Sequence, residues 1–125
     1  MKPEELPILS MSAVRARDKA AWLALFEEDA VVEDPVGGFP AWDPTGAGQR
    51  GREAIGRFYD TFAAGQEGMD FEVHHMIPCG SEAACFVTMT FHMKDGTSFS
   101  SKMINIYKMS PGGKIASLRS FWRIG

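Results

Sequence analysis

Two polar residues stand where their side chains could handle a proton on a carbon compound. Asp34 shares a face with Val32 at the end of a short apolar stretch and directly precedes Pro35. A carboxylate at an apolar rim loses hydration, which raises its pKa and favours a general base. Asn105 lies in a largely apolar row of a predicted strand, where its amide NH₂ could donate hydrogen bonds to a ligand.

Each of these residues also has a structural interpretation. The pair Asp34-Pro35 is typical of an ordinary turn. The amide of Asn105 could be tied to the backbone, since a buried amide without partners costs roughly 1–3 kcal/mol. On the residues alone, the structural interpretation outweighs the functional one at both positions.

The elements that must position these residues begin with helices in the first half. Helical stretches are predicted for residues 4–16, 19–28 and 52–64. Asp18 is suited to cap the second helix, in which Trp22, Leu25 and Phe26 repeat at i, i+3 and i+4. Residues 30–34 are predicted as a short strand, followed by a loop over 36–49 that is rich in Gly, Pro and aromatic residues.

The second half alternates between apolar and polar residues, as strands do. Four antiparallel strands are predicted for residues 71–78, 83–94, 97–109 and 114–124. The turns between them contain Gly-Ser-Glu, Asp-Gly and Pro-Gly-Gly, which are hairpin signals. Helices followed by consecutive hairpins predict an α+β fold, with helices covering one face of a bent sheet.

Composition limits the possible partners. The 125 residues are 45% hydrophobic and predict a single domain over 1–125. The net charge of −3 and the lack of a basic block argue against nucleic acid. The longest apolar run, residues 20–26, is far short of the ~20 residues of a membrane span. Since the start shows no apolar signal segment, we expect a cytoplasmic protein.

No residue pattern indicates a metal or a cofactor. Cys79 and Cys85 lack a second ligand pair with zinc-site spacing, and His74 and His75 point to opposite faces of one strand. Residues 46–51 match G-x-G-x-x-G, but a Pro-rich loop precedes them instead of the strand that a dinucleotide site needs. We interpret these glycines as flexible loop residues and expect neither metal nor cofactor.

Three segments carry a resemblance to a known family. They are W-L-A-L-F-E-E-D-A-V-V-E-D-P-V-G (22–37), G-R-E-A-I-G-R-F-Y (51–59) and G-K-I-A-S-L-R (113–119). In this order they resemble the ketosteroid isomerases, within the superfamily of nuclear transport factor 2 and the SnoaL-type polyketide cyclases. The resemblance implies a cone-shaped fold, in which a curved mixed or antiparallel sheet carries the N-terminal helices on its concave face.

The resemblance also implies roles for single residues. Asp34 matches the family's general base, which moves a proton between two carbons of a steroid enone through a dienolate. Asn105 stands at the position of the oxyanion aspartate, and Ser10 at that of the oxyanion tyrosine. Tyr59 matches a tyrosine that supports the hydrogen-bond network in some members, and it could replace the missing phenol.

The same resemblance implies a lipophilic small-molecule substrate, a homodimer and no cofactor. Trp42 lies in the segment 39–49, which is longer here than in the steroid isomerases and could form a lid or reshape the pocket mouth. The other wall residues, all ordinary core types, are Val87, Met89, Phe91, Met103, Tyr107 and Trp122. Two alternatives stay open: a polyketide cyclase or dehydratase that uses Asp34 on another substrate, and a non-catalytic carrier of a lipophilic ligand.

Overall fold

The computed structural model describes residues 1–123, which form three helices and one six-stranded sheet. The helices are α1 (Glu5–Arg15), α2 (Lys19–Ala24) and α3 (Gly51–Ala63). The strands are β1 (Phe26–Glu33), β2 (Gln49–Arg50), β3 (Gln66–Cys79), β4 (Glu82–Met93), β5 (Ser98–Met109) and β6 (Ile115–Phe121). Ile124, the predicted end of the last strand, lies outside the described residues.

The sheet has the order β2-β1-β6-β5-β4-β3. The four strands predicted in the second half pair consecutively and antiparallel, whereas β1 lies parallel to β6. The sheet is curled and the helices pack on its concave face, so the predicted α+β fold is confirmed. None of the helices in residues 1–123 is long and apolar enough to cross a membrane.

The predicted boundary between the second helix and the first strand is wrong. The helix ends at Ala24 instead of residue 28, and Phe26 begins β1. Its main-chain oxygen accepts hydrogen bonds from the Arg52 guanidinium, and that of Leu25 accepts one from the Ile115 N–H at 2.7 Å. Since the backbone pairs with the sheet here, tertiary contacts override the local helical pattern.

The other local signals set the elements to within a few residues. The Asp18 carboxylate accepts a hydrogen bond from the Ala21 N–H at 3.0 Å, which confirms the predicted cap of α2. Helix α3 buries Ile55 and Phe58 toward the sheet. Strand β3 begins at Gln66, five residues before the prediction, because its first residues pair with the end of β4. The two-residue strand β2 was not predicted.

Candidate active site

A mostly apolar cavity of about 520 Å³ opens on the concave side of the sheet. Residues from all three helices, from β3, β4, β5 and β6 and from the loop after β1 line it. Its apolar wall includes Met11, Phe58, Phe62, Met69 and Leu118. A volume in the range of about 300–1,000 Å³ and an apolar lining with few polar groups are typical of small-molecule sites.

The structure brings most of the predicted site residues to this cavity. Those on its lining are Asp34, Trp42, Met89, Phe91, Met103, Asn105, Tyr107 and Trp122. Tyr59 and Val87 lie instead in the packed core behind the wall. The ring of Tyr59 packs on Trp22 with centroids 5.5 Å apart, and Val87 is fully buried between neighbouring strands.

Asp34 follows β1 directly, and two indoles hold it. Trp122 Nε1 donates to Asp34 Oδ1 at 2.5 Å, and Trp42 Nε1 donates to the main-chain oxygen of Asp34 at 2.6 Å. The parallel pairing of β1 with β6 explains the first contact, because it brings the carboxyl ends of both strands together. The carboxyl group is therefore fixed on the cavity wall.

Two opposing effects set the pKa of Asp34. Burial raises the pKa above that of an ordinary carboxyl group, and the Trp122 indole N–H and, to a smaller extent, the nearby Ser120 hydroxyl group lower it in part. The residue as a whole is partly exposed, and it lines the cavity. A carboxylate with a raised pKa binds a proton more tightly, which suits a general base.

Asn105 lies opposite Ser120 in the pairing of β5 with β6. Both side chains are buried, with 3% and 2% of their surface exposed. Ser120 Oγ donates to Asn105 Oδ1 at 2.5 Å. Within residues 1–123 no acceptor takes the Nδ2 hydrogens, so the NH₂ end of the amide is left to the cavity that Asn105 lines.

A second polar group lies on the same wall, around Ser10. Trp22 Nε1 donates to Ser10 Oγ at 3.0 Å, and the Tyr107 hydroxyl donates to the same oxygen at 3.1 Å. Burial raises the pKa of Tyr107, so this phenol stays protonated. The phenol on the cavity wall is thus that of Tyr107, two residues from Asn105 on one face of β5, whereas Tyr59 lies behind the wall.

The loop between β1 and β2 forms an aromatic part of the wall. Phe39 stacks on Trp42, with ring centroids 4.5 Å apart and planes at 13°. Gly38 takes a φ of +99°, and a Cβ there would lie 2.4 Å from the Asp43 main-chain oxygen. A Cβ at Gly46, one of the glycines interpreted above as flexible, would lie 2.7 Å from the main-chain oxygen of Gly37, so this backbone also packs too closely for a side chain. The rings of Phe39 and Trp42 form the part of the cavity wall beside Asp34.

The histidines and cysteines lie apart from the cavity lining described above. His74 Nε2 meets Thr88 Oγ1 at 2.7 Å, and Cys79 is exposed while Cys85 is buried. Among residues 1–123, no three His, Cys, Asp or Glu side chains come close enough together to hold a metal ion.

Ser120 and Phe39 lie on the cavity lining beside Asp34 and Asn105 but were not predicted as site residues. Ser120 is a polar residue in the inward row of β6, next to Leu118 and Trp122. This is the same signal that singled out Asn105 in β5, and it could have been found by the same alternation. Phe39 had no such signal, because it lies in an irregular loop whose path depends on contacts within the loop and with Asp34.

Comparisons with known proteins agree with this architecture. The structure of RV0760c from Mycobacterium tuberculosis, in complex with estradiol-17beta-hemisuccinate, is 28% identical with a TM-score of 0.88, covering 99% of this chain and 96% of that chain. A Delta 5-3-ketosteroid isomerase from Mycobacterium sp. is also 28% identical with a TM-score of 0.88, covering 98% and 95%. A computationally designed 17-OHP binder is 26% identical with a TM-score of 0.89, covering 99% and 95%.

The resemblance found in the sequence is thereby confirmed at the level of the family. No curated protein matches the chain. A family model described as a SnoaL-like domain matches residues 10–118, which is most of the chain. The protein therefore belongs to the family of SnoaL-like domains, and its structural neighbours are ketosteroid isomerase-like proteins.

Proposed function

We propose that this protein moves a proton between two carbons of a hydrophobic, steroid-like carbonyl compound. Asp34 is the general base, and Asn105 donates to the carbonyl oxygen. The observation that supports this best is a carboxyl group with a raised pKa on the wall of an apolar cavity. The similarity to a Delta 5-3-ketosteroid isomerase from Mycobacterium sp. supports the substrate class.

The reaction needs one base that acts twice. Ionised Asp34 takes a proton from the carbon between the carbonyl group and the double bond, so that a C–H bond breaks and an O–H bond forms. The electron pair moves onto the carbonyl oxygen and gives a dienolate. The O–H bond then breaks and the proton returns to the far carbon of the dienolate. Asp34 is ionised again, and the double bond is conjugated with the carbonyl group.

The negative charge on the oxygen needs donors that are already in place. The NH₂ end of Asn105 is one, and it donates at any pH. Ser10 is a second: its oxygen accepts two hydrogen bonds, and among residues 1–123 no acceptor takes its own hydrogen, which leaves that hydrogen for the ligand. Each such donor typically accounts for about 10²–10³ in rate. Because an amide is a weaker acid than a carboxylic acid, we expect a slower enzyme than one with an aspartate here.

The test is the conjugation of an unconjugated 3-ketosteroid, followed by ultraviolet absorbance. Asp34→Asn should lose a factor of about 10²–10⁴ in rate, the usual contribution of a general base. Asp60→Asn is the matched control. Asp60 lies on α3, exposed and paired with Lys19, so this substitution should leave the rate unchanged. Equal rates for wild type and Asp34→Asn would remove Asp34 from the mechanism.

A second candidate is a carrier that binds the steroid without turning it over. The observations that favour it are Ser10 and Asn105, which stand where the resemblance implies a tyrosine and an aspartate. Quenching of the fluorescence of Trp42 and Trp122, which line the cavity, would report binding. Quenching without conjugation would favour the carrier. Turnover of a polyketide-type ketone alone would instead favour a cyclase or dehydratase that uses the same base.

We also propose that two copies associate through the outer face of the sheet. Phe86, Ile104 and Phe121 lie side by side across β4, β5 and β6, and each exposes more than a third of its surface. An apolar row of this kind favours self-association. Ile104→Glu should convert a dimer to a monomer in sedimentation, whereas Ile8→Glu on α1 should not. A wild-type protein that sediments as a monomer would contradict this assembly.

A further inference from the structure

Ser120 has a buried hydroxyl group on the cavity wall, and the proposed chemistry leaves it without a role. It lies in the inward row of β6, only 2% exposed, directly opposite Asn105. A buried hydroxyl group needs a hydrogen-bond partner. The Ser120 hydroxyl group donates to Asn105 Oδ1 at 2.5 Å, and Met103 Sδ lies farther away, at 3.8 Å. A thioether is a weak acceptor, so the amide oxygen takes the single hydrogen.

The direction of this bond is tied to the end of the amide that faces the cavity, because Ser120 Oγ donates to Oδ1 and does not accept from Nδ2. A carboxamide has a donor end and an acceptor end of almost the same shape. Because Oδ1 is bound to Ser120, Nδ2 is the end left to the cavity. If the amide turned over, Oδ1 would face a ligand carbonyl, and two acceptors would oppose each other.

We propose that Ser120 is a positioning residue, which turns the Asn105 amide so that its NH₂ group meets a ligand carbonyl oxygen. The inference rests on the proposed function, in which Asn105 meets the oxygen of the ligand. It adds a specificity: this end of the cavity favours a ketone, which only accepts, over the corresponding alcohol, which can also donate. Ser120 acts through Asn105 and need not touch the ligand.

The position of Ser120 also connects the two halves of the proposed site. Its hydroxyl group also lies near enough to Asp34 to lower the pKa of that carboxyl group, although Trp122 has the larger effect. With Asp34 Oδ1 already bound to Trp122 at 2.5 Å, the short contact of Ser120 is to Asn105. Removing the hydroxyl group should therefore disturb the amide more directly than the carboxyl group.

The first measurement uses the ligand-free protein and does not depend on its activity. The side-chain NH₂ signals of Asn105 are followed by nitrogen-15 NMR and assigned by their loss in Asn105→Asp. They should move and broaden in Ser120→Ala and in Ser120→Cys, because a thiol is a weak donor, and should return in Ser120→Thr. Ser110→Ala is the matched control, since Ser110 is a buried serine whose hydroxyl accepts from the Lys114 N–H.

The second measurement uses a saturated 3-ketosteroid and its 3-alcohol as unreactive probes. Ser120→Ala should lower the preference for the ketone about fivefold to tenfold, the value of one neutral hydrogen bond. The infrared carbonyl stretch of the bound ketone should shift toward its frequency in hydrocarbon. In an Asn105→Ala background the same change should have no further effect, because Ser120 acts through that amide.

The outcomes separate the two proposals. Unchanged Asn105 signals in both Ser120→Ala and Ser120→Cys would overturn the positioning role, whatever the protein binds. If the amide signals move but neither probe binds to the wild type, the proposed function fails while the orientation of the amide stands. An equal loss of ketone preference with and without Asn105 would show that Ser120 acts on the ligand by another route, which also overturns the inference.

Discussion

Trp122→Phe should raise the pKa of Asp34. The indole N–H donates to the carboxyl group at 2.5 Å, and this hydrogen bond opposes the effect of burial. A hydrogen bond to a charged group contributes about 1.5–3 kcal/mol. Because about 1.4 kcal/mol corresponds to a factor of ten, the ionisation constant of Asp34 should fall about 10- to 100-fold. Phenylalanine keeps much of the aromatic packing, so the loss of the donor is the main change.

The chain contains a matched control for this experiment. Trp42 also donates to Asp34, but to its main-chain oxygen, at 2.6 Å. Trp42→Phe should therefore change the carboxyl titration much less, although it removes an indole from the same cavity. The assay is the carbon-13 signal of the Asp34 carboxyl group, followed against pH in the wild type and both variants. Equal changes in the two variants, or none in Trp122→Phe, would refute the assigned role of Trp122.

Three further predictions concern stability and reactivity. Burial raises the folded-state pKa of Asp34, so its contribution to stability is complete below the ordinary carboxyl pKa and is lost as the pH rises through the folded value. Asp34→Asn should thus unfold at a higher temperature than wild type at about pH 8, but not at about pH 3. Gly38→Ala should cost about 1–3 kcal/mol in urea unfolding. Gly80→Ala should cost less, because nothing lies within 4 Å of a Cβ there. Burial raises the pKa of the Cys85 thiol to about 11, so a thiol reagent should modify only exposed Cys79 until the protein is unfolded.

Much of this fold could be predicted because local signals and tertiary structure agree. The turns at Asp95-Gly96 and Pro111-Gly113 set three consecutive strands, β4, β5 and β6. In β5 the alternation correctly placed Met103, Asn105 and Tyr107 on one buried face. Such residues satisfy both the two-residue period of a strand and the demand for burial, so no competing structure fits them as well.

Prediction failed where a distant partner decides the local structure. Phe26 fits the apolar stripe of a helix, but the parallel pairing with β6 makes it part of a strand. In the loop after β1, Trp42 donates a hydrogen bond to the main-chain oxygen of Asp34, and no local sequence pattern predicts this contact. The contact of Ser120 with Asn105 depends on the register of β5 with β6, which alternation alone does not fix.

The structural interpretation of Asp34 can be tested against three aspartates of the chain that lie in caps and turns. Asp18, Asp43 and Asp95 each accept from main-chain N–H groups two to five residues away, as aspartates in caps and turns do. Asp34 instead accepts from the indole of Trp122, 88 residues away, and its carboxyl group lines the cavity. A turn needs no such partner, and burial of this carboxyl group disfavours its charged form. The arrangement therefore supports the proposed role of Asp34 in the cavity, and a turn at Asp34-Pro35 alone does not account for it.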